Sequence, residues 1–532
     1  MVESTSPVEE VTEKDSKGTR DRWCSEIKIY QKDFQKWHED CRKIKRRYRN
    51  ETGHESDSDF VKKTVRFPVL WSNTEILKPS MYARKPNAEI ALRNKRNKDP
   101  LARIASDTWE SSLRYEVDSY DFNGVMTSVV LDYLLYGRGT ARDFYVPQFS
   151  EGQVVSENAT CKYICHEDFL HGSGRYWDEV KWVGFRSFLT RDELKARFGP
   201  ELGKKIPLEQ APKGYLDGGD EKRREDFFKK AIIHEIWDKD SLRVYWVCEG
   251  HDDLLDVKED PLGLRGFFPC PKPLYATLTN DCLRPVPDYL IYKEQALELD
   301  RQTTRISRLT DALKVAGCYD ASIGNMNNIL KQADGDFVPI HNWSQFASDG
   351  GLEGAMVFVP IKEVAEVLIQ LYQARSTTLQ DIYEITGISD VIRGASDPGE
   401  TAKAQQIKGQ YANLRLSARQ GAVQDFARDL IAIKGEIIAE HFSPDTIRAT
   451  SGYDYLQGAN AQDPNEFNSI IELLHNDPLR SYAIDVETDS TIALDDQAQK
   501  ESLNEYLGTV GGFLDKAVQT IQFAPALAPY VK

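Results

Sequence analysis

Three long runs of helical hydrophobic spacing dominate the second half of the chain. The spacing predicts helices over Pro287–Ala316, Lys362–Ile385 and Glu400–Phe442. If unbroken, the last of these, with about 43 residues, is roughly 64 Å long, because an α-helix rises 1.5 Å per residue. Ordinary globular helices have about 11–12 residues, so the pattern favours an assembly of rods over a compact catalytic domain.

Two irregular segments separate the three helices. The first, Gly317–Pro360, contains the strand-like runs Phe337–Ile340 and Ala355–Val359. It predicts a small α+β insertion carried at the end of two antiparallel helices. The second segment, Thr386–Gly399, is short and rich in glycine, so we expect a loop held out from the ends of two helices.

Near the N-terminus, apolar side chains at alternating three- and four-residue spacing predict a helix over Trp23–Asn50 with one buried stripe. The stripe comprises Ile27, Tyr30, Phe34, Trp37, Cys41, Ile44 and Tyr48. The end of this helix is strongly basic, with Arg42, Lys43, Lys45, Arg46, Arg47 and Arg49. These cations are either a solvated helix C-terminus, where positive charge is favourable, or a contact with nucleic acid or another subunit.

The remaining pattern is mixed, and together with the long helices it predicts a helix-dominated α+β fold. Helices are expected over Pro100–Tyr120 and Gly124–Tyr136, the second stopping at Gly137, and Thr190 and Glu193 predict a capping box. Short alternating runs predict strands at Thr140–Val146, Cys161–His166, Val180–Val183, Ala231–Trp237 and Leu242–Val247. Near the C-terminus the pattern predicts a helix at Asn465–His475, a strand at Tyr482–Glu487 and a helix at Asp495–Asp515.

Composition then narrows the classes of function. The formal net charge is −16 at pH 7, whereas a protein that grips DNA over its whole surface is basic. No apolar run approaches the ~20 residues of a membrane span, so we expect no membrane partner. Residues 1–20 are polar and lack the apolar core of a signal peptide, and they predict a disordered arm.

The sequence offers little catalytic chemistry. No phosphate loop, zinc-protease motif or nucleophile elbow occurs, so we expect a protein that is not an enzyme and needs no cofactor. Cys161, Cys165 and His166 form one metal-like cluster, but structural zinc sites usually have two close ligand pairs, and we expect buried strand cysteines. Four carboxylates are expected on an exposed helical face and not around a metal, namely Asp288, Glu294, Glu298 and Asp300.

Charged stripes run along the first two long helices. The basic stripe, Arg301, Arg305 and Arg308, recurs on one side of the first helix. The acidic stripe on the second helix comprises Glu363, Glu366, Asp381 and Glu384. Opposite stripes on adjacent helices suit pairing between subunits of a ring; solvated faces and contact with a polyanion in a channel stay open. Arg375 falls on the apolar side of the second helix and is expected to snorkel or to meet an acidic partner.

Short segments in a particular order carry a resemblance to a known family. They are Asn73–Pro79 with Tyr82–Pro86, Val130–Gly139, Trp182 with Leu189–Leu194, His234–Lys239, Gly266–Pro273, and Gly387–Asp390 followed by Glu400–Ala404. In these segments the chain resembles the portal (head-to-tail connector) proteins of tailed bacteriophages, particularly of short-tailed phages. The similarity extends over most of residues 23–515, and no single segment of it is a strong motif.

The resemblance implies a discontinuous architecture. Residues 21–286 and 400–485 would form a wing, residues 287–316 and 362–385 two stem helices, residues 317–361 a clip, and residues 486–532 a crown. Residues 386–399 would be a tunnel loop that lines the DNA channel. The chain departs from some relatives in one respect, because its C-terminal sequence predicts no long helical barrel.

The resemblance also implies a function and partners. The subunit would form a ring, typically of twelve copies, at the capsid vertex of the virion after assembly in the host cytoplasm. Double-stranded DNA would pass through it, and it would contact the terminase packaging motor, a tail adaptor, and capsid and scaffolding proteins. The channel residues would be Gly387, Ile388, Ser389, Asp390, Val391, Ile392, Arg393, Gly394, Lys403 and Lys408. The alternatives are a collar or adaptor protein of the phage head and tail, and a nucleic-acid-processing enzyme.

Overall fold

The computed structural model describes residues 13–51, 65–92, 99–150, 153–208, 229–312, 317–319, 356–358, 361–388, 402–455, 464–475 and 482–486. Within these ranges the fold is helix-dominated with several small sheets, which confirms the predicted α+β class. Its helices are α1 (Glu13–Tyr48), α2 (Val69–Met81), α3 (Pro100–Ser119), α4 (Phe122–Tyr136), α5 (Arg191–Phe198), α6 (Leu202–Lys205), α7 (Asp288–Ala312), α8 (Ile361–Thr386), α9 (Ala402–His441), α10 (Pro444–Ser451) and α11 (Pro464–His475).

The strands form four antiparallel sheets. In chain order they are β1 (Ala88–Leu92), β2 (Arg138–Ser150), β3 (Gln153–Ile164), β4 (Phe169–His171), β5 (Trp182–Leu189), β6 (Ala231–Asp238), β7 (Arg243–Val247), β8 (Asp256–Glu259), β9 (Leu274–Tyr275), β10 (Gly317–Tyr319), β11 (Met356–Phe358) and β12 (Tyr482–Val486). The sheet orders are β3-β2-β9, β4-β5-β6-β7-β8, β1-β12 and β10-β11. The five-stranded sheet is a meander, since each strand pairs with the next in sequence.

The chain divides into two units. The first comprises Met1–Lys45, Ser72–Asp288 and Ala395–Lys532, and the second comprises Arg46–Trp71 and Tyr289–Gly394. Both units are therefore assembled from segments that are distant in sequence. The helices α1, α2 and α7 each contain residues of both units.

The core of the first unit is built around α9. Its apolar residues Phe426, Leu430 and Ile431 are buried, as is Trp109 of α3, whose indole N–H donates to the Gly435 carbonyl at 3.1 Å. A Cβ on Gly435 would lie 2.9 Å from Ile484 and 3.1 Å from Trp109. Glycine is therefore required here because β12 and α3 both approach the backbone of α9 closely.

The predicted apolar stripe of α1 is buried from Ile27 to Ile44, and its last member, Tyr48, is half-buried. Polar atoms on the same side hold the helix in place: Tyr30 donates its hydroxyl hydrogen to the Phe169 carbonyl at 3.0 Å, and Trp37 donates to the Tyr136 carbonyl at 3.1 Å. This confirms the one-sided helix predicted from the spacing. The predicted disordered arm is wrong from Glu13 onwards, because Glu13–Arg20 already belong to α1.

Two buried cations lie inside the first unit. Arg138 donates to the Tyr30 hydroxyl at 3.0 Å and to the His166 carbonyl at 2.8 Å, and its guanidinium lies over the Trp37 ring at 4.5 Å. Lys434 of α9 donates to the Ala159 carbonyl and lies 3.4 Å from the carboxylate of Asp143. Buried charges persist only when they are paired or hydrogen-bonded, so each of these contacts fixes a helix or strand to its neighbours.

Most local predictions are confirmed. Thr190 and Glu193 form the capping box of α5, Gly137 caps α4 in the left-handed conformation, and the five predicted strands are found at β2, β3, β5, β6 and β7. The predicted elements at Asn465–His475 and Tyr482–Glu487 are α11 and β12. Several elements were not predicted: α2, which contains Pro79, β1, which pairs with β12, and the short elements α6, α10, β4, β8, β9 and β10. The helix expected at Asp495–Asp515 lies outside the described residues.

Candidate subunit interface and channel segment

In the second unit, α7 and α8 lie side by side and antiparallel. Gln302 donates to the Thr378 hydroxyl at 3.1 Å, and Arg375 donates to the Thr303 hydroxyl at 3.2 Å. At the distal end, β10 and β11 pair with Gly317 opposite Phe358. These contacts establish that α7 and α8 run in opposite directions. The rod–insertion–rod order predicted from the sequence is confirmed for these elements, whereas Phe337–Ile340 is outside the described residues.

A buried ion pair ties the end of α1 to α7. Arg47 makes two parallel hydrogen bonds to Asp300, one of them 3.0 Å long, and the two side chains are only 9% and 7% exposed. The same carboxylate accepts the Phe67 N–H at 2.9 Å, and Val65 N–H donates to the Thr304 hydroxyl at 3.0 Å. A bidentate guanidinium–carboxylate pair is a strong, directional contact, so the strap of residues 65–67 is fixed against α7.

These contacts correct one prediction and narrow two others. Asp300 does not lie on an exposed face, because it is 5% exposed and paired. Arg47, for which the sequence leaves a solvated end and a contact with nucleic acid or another subunit open, is bound within its own subunit. Arg375, for which snorkelling and an acidic partner are both open, donates to Thr303 and lies 5.0 Å from the centre of the Phe67 ring. The spacing could not reveal these pairs, since their members are distant in sequence.

The basic stripe lies on the outward side of α7. At 100° per residue, Arg301, Arg305 and Arg308 fall opposite the buried residues Leu299 and Ile306, and all three are exposed. Arg301 makes a 3.3 Å ion pair with Glu298 of the same helix. Exposed pairs of this kind contribute little to stability, so the pair with Glu298 does not prevent Arg301 from contacting a neighbour.

The acidic stripe on α8 is exposed along its whole length, and apolar side chains flank the buried face of the helix. Glu363, Glu366, Asp381 and Glu384 are the exposed acids. Ile369 is 59% exposed and Tyr372 50% exposed on one flank, and Val367 is 38% and Ile385 36% exposed on the other. Ile369 and Tyr372 are neighbours on the helix and form a small exposed apolar patch, whereas Val367 and Ile385 lie about 27 Å apart along the helix. A helix with such residues on both flanks can accept a partner on each side.

The two charged stripes do not lie level with each other within one subunit. The Thr303–Arg375 and Gln302–Thr378 bonds place Arg305 opposite the middle of α8. Glu366 and Asp381 then lie seven or eight residues away in opposite directions, which is about 11 Å at 1.5 Å per residue. In the same register Arg301 lies about two residues, or roughly 3 Å, from the level of Asp381. If the helix pairs of neighbouring copies run parallel to the axis that relates them, only this end of the two stripes meets.

The predicted channel segment is described only at its beginning. Gly387 ends α8 with φ 70°, and its N–H donates to the Tyr383 carbonyl at 2.9 Å. Glycine adopts this left-handed conformation without the strain of a Cβ, and Ile388 after it is buried. Ser389, Asp390, Val391, Ile392, Arg393 and Gly394 lie outside the described residues, and so do the side chains of Lys403 and Lys408 on α9. Their role in a channel stays a prediction.

No metal centre is found where the structure describes the chain, in the sense that no group of three or more His, Cys, Asp and Glu side chains converges there. Cys161 and Cys165 carry free thiols. Burial lowers the pKa of His166, but the adjacent Asp132 carboxylate, 3.6 Å away, outweighs burial and raises the pKa to about 9.

Comparisons with known proteins do not assign this chain to a family. A scan of the chain against protein-family models gives no match, and a search of curated proteins gives no significant relative. Among the helices of the described ranges, none is both long and apolar enough to span a bilayer.

Proposed function

We propose that this chain is the portal subunit of a tailed bacteriophage and that copies of it form a ring, with twelve the expected number. One observation carries the proposal: α8 presents apolar side chains on both flanks of its buried face, so each helix pair has a surface for two neighbours. Closed rings arise when one surface of a subunit binds a different surface of the next copy and the rotation closes. The paired rods around an insertion, followed by a loop and a third long helix, agree with the layout that the resemblance implies.

In this proposal the helix pair α7 and α8 forms the stem around the DNA channel, and the wing comprises residues 21–286 and 400–485. The clip, residues 317–361, would contact the terminase motor during packaging and the tail adaptor afterwards. Residues 386–399 would line the channel, with Arg393 offsetting local charge repulsion. The net charge of −16 per copy fits a conduit through which DNA slides, because like charges disfavour sticking.

The proposal is tested first by the oligomeric state. Wild-type protein at micromolar concentration is expected to form rings with a central hole in negative-stain images, and to have the mass of a dodecamer by light scattering. The double substitution Ile369→Ser and Tyr372→Ser is expected to shift the protein to smaller species, because it removes apolar area from one flank of α8. Ile29→Ser is the matched control, since Ile29 of α1 is 54% exposed but lies elsewhere. A wild-type protein that stays monomeric contradicts the proposal.

Charge reversal of the basic stripe provides the second test. Arg301→Glu, Arg305→Glu and Arg308→Glu together are expected to reduce the fraction of rings at least several-fold at physiological salt, because like charges would then meet across the interface. Because the stripes are offset by about 11 Å along the rod, only one of two charge-reversed acidic pairs is expected to restore assembly. These pairs are Glu363→Lys with Glu366→Lys, and Asp381→Lys with Glu384→Lys, and mass photometry measures the outcome. The pairing of the stripes is contradicted if the triple substitution leaves the fraction of rings unchanged. It is also contradicted if neither acidic pair restores assembly.

A further inference from the structure

The outward face of α1 is basic in a chain that is acidic overall. Four lysines lie within about 80° of one another around the helix, at 100° per residue, and all four are exposed. They are Lys28, Lys32, Lys36 and Lys43. They extend over fifteen residues, which is about 22 Å of helix. We call these four residues the lysine face. It stands out because the formal net charge of the chain is −16.

The position of this face is fixed by the opposite side of the helix. Trp23, Ile27, Tyr30, Trp37 and Ile44 are all buried, at 5% exposure or less. The hydrogen bonds of Tyr30 and Trp37 to backbone carbonyls prevent the helix from rotating about its axis. The lysines are therefore held outward by the core of the first unit, so their ammonium groups are presented to solvent as a set.

Among the residues that the structure describes, few negative charges compensate the lysine face. Lys28, Lys32 and Lys36 form no ion pair with any residue that the structure describes, and Lys43 has only a 3.4 Å pair with Asp40. Glu39 is the one acid inside the same arc, and Gln35 donates to it at 3.1 Å. On the flanks, Arg42 adds a further cation, and Arg284 donates to the Asp33 carbonyl at 3.0 Å. Lysines at i and i+4 repel one another, so the arrangement has a cost that an anionic partner would remove.

The residue types indicate the chemistry of that partner. Surfaces that bind proteins are enriched in aromatic residues and depleted in lysine, whereas on this side of α1 the one large exposed apolar side chain is Ile29. Nucleic-acid backbones are bound by Lys and Arg, and the side chains that read base edges are a separate set. We propose that the lysine face binds the phosphate backbone of duplex DNA without sequence specificity.

This inference does not require the ring. The lysine face belongs to one subunit, and all four of its lysines come from the single helix α1. The assembly tests above and the binding test below can therefore fail independently, and binding is measured on the full chain in whatever oligomeric state it has.

The test is the affinity of the purified full chain for a short fluorescent DNA duplex, measured by anisotropy over a range of salt concentrations. The test variant carries Lys28→Gln, Lys32→Gln, Lys36→Gln and Lys43→Gln, since glutamine has nearly the same helix propensity as lysine. The matched control carries the same change of charge at exposed lysines of other segments, Lys181→Gln, Lys204→Gln, Lys205→Gln and Lys272→Gln. Circular dichroism establishes that both variants are folded.

We expect the wild type to bind with a steep salt dependence, and the test variant to bind at least about ten-fold more weakly at low salt. The slope of log affinity against log salt is expected to fall in magnitude by about 3 to 4, since each phosphate contact contributes about 0.9. The control variant should keep most of the wild-type affinity and most of the wild-type salt slope. Equal losses of affinity in the two variants would mean that binding depends on net charge alone. A folded wild type that binds no duplex would leave an acidic protein as the partner. Either result overturns the proposal.

Discussion

Replacing Asp300 with asparagine is expected to lower the free energy of unfolding by about 3–5 kcal/mol. Asparagine keeps the shape and can still accept the Phe67 N–H, but it leaves the Arg47 guanidinium without a counter-charge. Because the Arg47 side chain is only 9% exposed, water cannot replace the lost carboxylate. The midpoint of urea unfolding, followed by tryptophan fluorescence, measures the effect.

The matched control is Glu298→Gln, the same chemical change two residues earlier on α7. Glu298 pairs with Arg301, but its side chain is 46% exposed and that of Arg301 is 76% exposed. Removal of an exposed pair is expected to cost less than about 1 kcal/mol. Adding Arg47→Met to Asp300→Asn should restore part of the loss, because no charge is then left buried. If Asp300→Asn costs no more than Glu298→Gln, the strap does not depend on this ion pair.

Lys434→Met is expected to destabilise the first unit by a similar amount, about 3–5 kcal/mol near pH 8. Lys434 is 1% exposed and lies 3.4 Å from Asp143, which is fully buried. Methionine fills a similar volume but leaves Asp143 without its ion-pair partner and the Ala159 carbonyl without its donor. The same unfolding measurement, carried out at several pH values, determines the loss.

The pH dependence has a definite sign. Burial raises the pKa of Asp143 to about 6 from its ordinary value of 3.8, although Lys434 opposes the shift. The folded state therefore binds more protons than the unfolded state between those values, so the contribution of Asp143 to stability rises as pH falls through 6. Without Lys434 the carboxyl is protonated more readily. The cost of Lys434→Met should therefore be larger at pH 8 than at pH 5.

Lys205→Met is the control for this second prediction, because Lys205 is exposed on α6 and makes no ion pair within the described part of the chain. It is expected to change the unfolding free energy by less than about 0.5 kcal/mol at either pH. A cost of Lys434→Met that is independent of pH, or that grows towards pH 5, would mean that Asp143 is not the group left unpaired.

The spacing of side chains along the chain was enough to predict most helices and strands. The stripe from Trp23 to Tyr48, the two rods on either side of Gly317–Pro360 and the long helix α9 were all visible, because helical burial repeats about every 3.6 residues. The capping box at Thr190 and the glycine stop at Gly137 were visible for the same reason, since caps depend on residues a few positions apart. These local features alone already give the helix-dominated α+β class.

Only the tertiary structure shows which segments that are distant in sequence contact each other, because the periodicity of side chains carries no information on such contacts. The pairing of Ala88–Leu92 with Tyr482–Val486 joins segments nearly four hundred residues apart, and neither hydrophobic pattern specifies the other strand. The burial of Asp300, Lys434 and Arg138 likewise depends on partners from distant segments, whereas a charged residue read in isolation is expected at the surface. The sequence alone thus determined which faces of the helices are apolar and which are charged, because that information is local. Only the tertiary structure determined which charges are buried and which stay available to a partner, because burial depends on what packs against each residue.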